Sequence, residues 1–271
     1  MPLEHYLYTL GVSVAVIEDV DIKHSPLVKL TGDVDSAGSE NMADVLMELH
    51  QSGCAAPRFD LSEVSFMDSA GLMAVIQWCR QFQDKEGDLE VVSVNPLVRR
   101  LFEIAGYTHV IHGSEERSIQ PPPVRHPITD CMASTADWEI RSFSVPARLD
   151  SCKIVRDRIS QTMVAMSFSE EDKCDVKLAV GEAISNAIRH GACEKPWETV
   201  TVRTLATAHK LVVEITDPGD GFNLNEATNS SLDTGLPEGN MGIKCMQHCM
   251  DEVSFHFSPG TTVRLIKTIS P

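Results

Sequence analysis

The chain has 271 residues, 42% of them hydrophobic, and a formal net charge of −16. That size and apolar content are enough for two cores of ordinary dimensions, and the acidic balance argues against direct binding of nucleic acid, which needs a basic footprint. No apolar run approaches the roughly 18 residues of a membrane span and no basic-then-apolar leader is seen, so a cytoplasmic protein with reduced thiols is expected.

In chain order, Val12 to Gly113 alternates strand-like and helix-like stretches with short connections, the pattern of an α/β layer. L-V-K-L-T-G at Leu27–Gly32 reads as a strand, Ser39–Gln51 as a helix, R-F-D-L at Arg58–Leu61 as a strand, and Ser69–Phe82 as a helix. L-E-V-V-S-V follows Gly87, and then a helix with Asn95 as cap, Pro96 at its first position and Gly106 as stop. Ser69 stands between a strand and a helix, where a phosphate would meet a positive helix end. The residue is therefore either an N-cap or an exposed acceptor hydroxyl on a surface shared with Asp33, Asp35 and Asp68.

Residues 114–137 hold P-P-P and little apolar periodicity, so they read as a semi-rigid spacer between domains at 1–113 and 138–271. Charge divides unevenly between those domains, net −10 in the first and −4 in the second. E-I-R-S-F-S-V-P then opens a strand, the helix after it takes Asp150 or Ser151 as cap, and Ser169 to Asp172 forms a capping box for a second helix. That second helix carries V-G-E-A-I-S-N-A-I-R-H-G, Val180–Gly191, which spaces Glu182, Asn186 and His190 at i, i+4 and i+8 on nearly one face. A carboxylate, an amide and an imidazole in that stripe suit an Mg·nucleotide site, with the amide oxygen of Asn186 on the metal and Glu182 as base. D-P-G-D-G at Asp217–Gly221 and G-N-M-G at Gly239–Gly242 complete a pocket: a buried Asp acceptor for adenine, close backbone approach at Gly219 and Gly221, and helix N–H groups after Gly242 for phosphate. Cys245 and Cys249, with His248 beside them, read as buried helical thiols rather than metal ligands.

On these motifs, residues of about 138–271 resemble the anti-sigma-factor serine kinases of the GHKL ATPase superfamily. Glu182, Ala183, Asn186, Ala187, His190 and Gly191 match the family's N-box; Asp217, Gly219 and Gly221 its D-x-G-x-G; Gly239 and Gly242 its G-x-x-G beside a lid. The resemblance implies a Bergerat α/β sandwich, ATP and Mg2+ as cofactors, and a homodimer. One departure stands out, for Phe222–Met241 contains no Lys or Arg and Asn240 occupies the place of a usual lid arginine. Arg189 or Lys244 would have to supply that charge.

D-L-S-E-V-S-F-M-D-S-A-G-L, Asp60–Leu72, with L-T-G-D-V-D at Leu30–Asp35, resembles the STAS-domain anti-sigma-factor antagonists over residues 10–113. That resemblance implies a mixed sheet with helices and makes Ser69 the serine phosphorylated by a partner kinase. Together the two halves imply a partner-switching regulator of bacterial transcription or stress signalling. It would be an ATP-dependent protein serine/threonine kinase fused to its antagonist, with a sigma factor or another protein as client and a separate STAS antagonist or a phosphatase as further partners. A non-catalytic, nucleotide-gated docking switch and an activator of a phosphatase are the competing readings.

Overall fold

The computed structural model describes residues 5–9, 12–17, 26–35, 57–81, 90–112, 138–222, 241–257 and 259–269, with Met42, Met47 and Gln51. The chain divides into two compact units, Met1–Ser114 and Glu115–Pro271. Both are α/β. Among the described residues no helix is long and apolar enough to cross a membrane. The spacer 114–137 lies outside the described residues, as does most of the helix expected at 39–51, of which Met42, Met47 and Gln51 are helical.

The amino-terminal unit is built on a five-stranded sheet in the order β1 (His5–Thr9), β2 (Val12–Ile17), β3 (Leu27–Val34), β4 (Arg58–Met67) and β5 (Glu90–Val94). β1–β2 and β2–β3 pair antiparallel, whereas β3–β4 and β4–β5 pair parallel. Parallel neighbours need a crossover, and α1 (Ser69–Gln81) supplies the one between β4 and β5. β4 runs on to Met67, well past the expected Leu61, because Val64, Phe66 and Met67 all find core to bury in. After β5, α2 (Pro96–Ala105) starts and stops as its sequence demands. Asn95 accepts from the Val98 N–H at 3.0 Å and Gly106 adopts the left-handed conformation, at φ 78°.

The start of α1 differs from the expectation. Asp68 caps this helix, its Oδ1 accepting from the Gly71 N–H at 2.9 Å, and Ser69 is the first helical residue, half-buried. The carboxylate wins because Asp68 is 2% exposed and a buried anion must be hydrogen-bonded. Asp33 and Asp35 are also buried, so the three carboxylates belong to the interior of this corner and not to a shared surface around Ser69. The corner is tight: a methyl group at Gly71 would lie 1.9 Å from the Val34 carbonyl oxygen, which presses the first turn of α1 onto the end of β3.

The carboxy-terminal unit places helices on a five-stranded antiparallel sheet in the order β6 (Glu139–Pro146), β7 (Thr199–Ala206), β8 (Lys210–Asp217), β10 (Thr261–Thr268) and β9 (Glu252–Phe257). Alternate residues such as Val200, Val202, Val213, Ile215, Val263 and Leu265 are buried, and the intervening Arg203, Glu214 and Arg264 form a partly exposed cross-strand row. Among the described residues the unit's α-helices are α3 (Ser151–Met163), α4 (Glu170–Asn186) and α5 (Met241–Cys249). Ser169 caps α4 as expected, accepting from the Asp172 N–H at 3.0 Å. Asp150 does not cap α3; its carboxylate is taken by Arg148, 2.7 Å away, and its backbone is already helical.

α4 is buried almost all round from Asp175 to Ser185. At its start it meets Lys267 of β10, only 2% exposed. The ammonium donates to Asp175 at 2.9 Å and to the Cys249 carbonyl at 2.8 Å, and lies 3.2 Å from Asp172. Burial works most strongly on the Asp172 carboxyl, in the upward direction, but the Ser169 hydroxyl and the Lys267 ammonium together hold it below the ordinary carboxylate range.

Two stability measurements follow from these ends. Asp68→Ala should cost about 1–2 kcal/mol in denaturant unfolding, as loss of a cap does. For Asp172 the lowered carboxyl stabilises the fold above the ordinary carboxylate range and loses that contribution as pH falls through its depressed value. The urea-midpoint gap between wild type and Asp172→Asn should therefore be widest at neutral pH and close on acidification.

Candidate functional site

The last turn of the N-box helix is not α-helical. Ala187–Gly191 form a π turn, closed by the Ala192 N–H on the Ala187 carbonyl at 2.8 Å. The expected i, i+4, i+8 stripe therefore ends at Asn186. Glu182 is 3% exposed and Asn186 half-buried, whereas His190, on the widened turn, is exposed. Such an inserted residue re-aims the chain that follows it, a recurrent device at functional sites. Here it delivers Gly191 against Asp217. Beyond it, Cys193 and Glu194 both take left-handed backbone, at φ 51° and 53°, a costly conformation for residues with a Cβ.

Gly191 is a site residue in its own right. A methyl group there would lie 2.0 Å from the Asp217 carboxyl carbon, and one at Gly219 would lie 2.8 Å from the Gly191 Cα. Helix end, strand end and loop thus meet with no room for a side chain. Asp217 closes β8 at 5% exposure, and its Oδ1 accepts from the Gly219 N–H at 2.8 Å. Burial pushes its carboxyl above the ordinary value, while the backbone N–H groups of Gly219 and Thr261 pull the other way. Thr261 was not legible as a site residue from motif spacing alone, although the G-T-T run that opens β10 is its signal. Gly221, at φ 86°, lies against the Phe257 ring, which with Phe255 makes edge-on contacts to Phe222.

A second convergence forms at the start of α5. A methyl group at Gly242 would lie 2.6 Å from Glu182 Oε2 and 3.4 Å from the Asn186 amide nitrogen. Glu182 and Asn186 are thereby brought to the N-terminal turn of a helix, where unpaired N–H groups favour anions. Gly239 and Asn240 fall outside the described residues. Of the two cations considered for the lid's missing charge, Arg189 Nε lies 3.9 Å from Glu194 and Lys244 is exposed on α5. Cys245 and Cys249 are buried one turn apart; their mutual hydrogen bond and burial raise the Cys245 thiol well above its ordinary value. Among the described residues no group of three or more His, Cys, Asp or Glu could hold a metal ion. A single amide oxygen from Asn186 fits Mg2+ all the same, since that ion takes most of its ligands from water and phosphate.

These two convergences sit within a region, residues 145–267, that matches the family model of the histidine kinase-like ATPase domain. A serine-protein kinase RsbW from Bacillus velezensis is 31% identical over 146 residues, 51% of this chain and 90% of that protein. The chain belongs to the RsbW-like histidine kinase-like ATPases. An anti-sigma F factor of Thermoanaerobacter sp. (strain X514) is 35% identical to the same RsbW-like unit over 127 residues, 43% of this chain and 88% of that protein. Ahead of the RsbW-like unit, residues 20–112 match the Mlab, STAS domain model. The solved structure of the anti-sigma factor antagonist SpoIIAA in its unphosphorylated form aligns with 38% of the chain and 89% of its own, at 20% identity and a TM-score of 0.33.

Asp217 offers a pH test. As the expected acceptor for an adenine amino group, Asp217 must be ionised, and burial makes its carboxyl protonate above the ordinary range. Nucleotide affinity of the wild type should therefore weaken on mild acidification, while Asp217→Asn binds about tenfold more weakly and shows no such slope in titration calorimetry. Gly191→Ala should lose binding too and cost about 1–3 kcal/mol through overpacking.

Proposed function

We propose that this chain is a partner-switching regulator in which an ATP-dependent protein serine kinase unit and a STAS antagonist unit share one polypeptide. The observation that carries the reading is the double convergence in the RsbW-like unit: Asp217 wedged against Gly191 and Gly219, with Glu182 and Asn186 against Gly242. Three sequence-distant segments meet there and their glycines, Gly191, Gly219 and Gly242, leave out side-chain volume, which is the construction a planar base and a phosphate chain require. Relatives named serine-protein kinase RsbW and anti-sigma F factor support the same reading for the client, a sigma factor or a comparable protein.

In the mechanism, Asp217 accepts from the adenine amino group and the glycines let backbone come close to the base and the phosphates. His190, exposed and next to Gly191 in the chain, takes part in nucleotide binding. Gly242 lies on the phosphate side, and Gly239 is assigned to nucleotide binding by the motif alone. Asn186 would hold Mg2+, which when bound neutralises charge on the phosphates. Glu182 takes the proton of the attacking seryl hydroxyl as its oxygen bonds to the γ-phosphorus, and the bond to the β-phosphate oxygen breaks to release ADP. Ser69 is the acceptor, in the same chain or another. Its placement at the first position of α1 favours a phosphate electrostatically through the helix end, and the buried Asp68 carboxylate opposes it. A modification balanced in that way shifts this corner of the STAS unit, and with it the partner the unit can hold. We place the work of this protein in the cytoplasm, with homodimerisation through the kinase unit as in the family.

The competing reading, a docking switch gated by nucleotide without transfer, is favoured by the absence of Lys and Arg from Phe222–Met241. Intact mass and phosphosite mapping after Mg·ATP incubation separates the two. One phosphate on Ser69 is expected in wild type and none in Ser69→Ala or Asn186→Ala. Glu182→Ala should bind ATP yet transfer about 100-fold or more slowly, the usual share of a general base. Bound ATP with no phosphate on this chain would point to a separate substrate or to the docking switch.

A further inference from the structure

A buried charged residue in the RsbW-like unit that the nucleotide motifs do not use is Lys267. It is a lysine near the end of a strand, yet it is among the largest fully buried side chains in the structure. A buried ammonium needs partners, and here they come from two different helices. Asp172 and Asp175 lie in the first turns of α4, and the Cys249 carbonyl is the last of α5. At the other end of the same two helices, Glu182 and Asn186 of α4 face Gly242 of α5. The helices are therefore antiparallel neighbours, bridged by the ammonium at one end and meeting at the nucleotide motifs at the other. The ammonium also suits its place electrostatically, since a cation favours the carbonyl end of α5 and the carboxylates favour the amino end of α4.

We propose that Lys267 is a positioning residue for the nucleotide site, acting as the clamp that sets the register of α5 on α4; the proposal rests on the nucleotide reading of Glu182, Asn186 and Gly242. The tolerance at the site is what makes a clamp necessary. A slip of one residue moves a helix about 1.5 Å along its axis and turns it by roughly 100°. With Glu182 Oε2 standing 2.6 Å from where a methyl group at Gly242 would be, such a slip would drive either Met241 or Ile243 into the carboxylate. Apolar packing of Ile243, Met246 and Met250 is non-directional and does not by itself exclude that slip. Three directional contacts to one ammonium do exclude it. The clamp also explains why the helix that ends in a π turn stays in place: α4 is anchored at its start, and the inserted residue is absorbed at its far end, where Gly191 meets Asp217.

The experiment uses the full chain and measures two things in wild type, Lys267→Met and Val202→Ala, the last a core truncation in β7, which supplies none of the Lys267 partners named above. The first is the dissociation constant for Mg·ATP by titration calorimetry at a temperature where all three are folded. The second is amide hydrogen exchange over the α5 peptide Met241–Met250 and the sheet peptide Thr199–Asp217. The expected result is about a tenfold loss of affinity and faster exchange confined to α5 in Lys267→Met, with Val202→Ala binding as wild type does. Should Lys267→Met fail to fold, Asp175→Asn keeps the packing volume and is expected to show the same pattern at about threefold. Unchanged affinity, or unchanged α5 exchange, in a folded Lys267→Met would overturn the clamp. Wild type that binds no nucleotide, with α5 exchange still accelerated in Lys267→Met, would retire the nucleotide reading and leave the register clamp supported.

Discussion

The carboxyl group of Asp217 occupies the space that a side chain at residue 191 would need, and the arrangement of the site depends on that exclusion. It joins the end of the N-box helix to the end of β8, two elements that approach from different layers of the sandwich. The π turn at Ala187–Gly191 becomes intelligible in this light: one extra residue in the last turn brings a glycine, and not a residue with a Cβ, to the carboxylate. The same contact desolvates Asp217 and raises its carboxyl, while the backbone N–H groups of Gly219 and Thr261 favour the ionised form that an adenine acceptor would need. Sterics and electrostatics there are one constraint.

A second constraint acts from below. Lys267 gathers two carboxylates and a helix-terminal carbonyl in a place where water cannot compete, and its three contacts are directional where the surrounding apolar packing is not. Removing one member of such a buried group leaves the others charged in a low-dielectric setting, which is why ion pairs of this kind specify geometry more than they add net stability. In the STAS unit Asp68 plays a comparable part on a smaller scale, tying the first turn of α1 to the end of β4 and leaving Ser69 outside the capping interaction.

Much of this was readable beforehand wherever the signal is local. Asn95, Pro96 and Gly106 bound α2, and Ser169 bounds α4, because caps depend on a few consecutive residues. Strand alternation placed β7, β8 and β10. The expectations that failed are those in which a local rule met a competitor from elsewhere in the fold. Ser69 was expected to cap or to stand exposed beside three acidic neighbours, but Asp68 is the stronger acceptor and all three carboxylates are buried. Asp150 had the right position to cap α3 and lost its carboxylate to Arg148. His190 left the polar stripe because regular helical spacing does not foresee an inserted residue.

The sequence by itself determined that two α/β units lie in one chain, that the second carries Glu182, Asn186, Asp217 and the flanking glycines in order, and that Ser69 marks a strand-to-helix corner in the first. It could do so because residue type and short spacing encode periodicity, caps and close backbone approach. Only the tertiary structure decided that Gly191 and Thr261 belong with Asp217, that Gly242 meets Glu182 and Asn186, and that a lysine 92 residues from Asp175 fixes the helix pair. Those are contacts between segments far apart in the chain, and their geometry is set by which groups can share a small, dry volume, a property no single stretch of sequence contains.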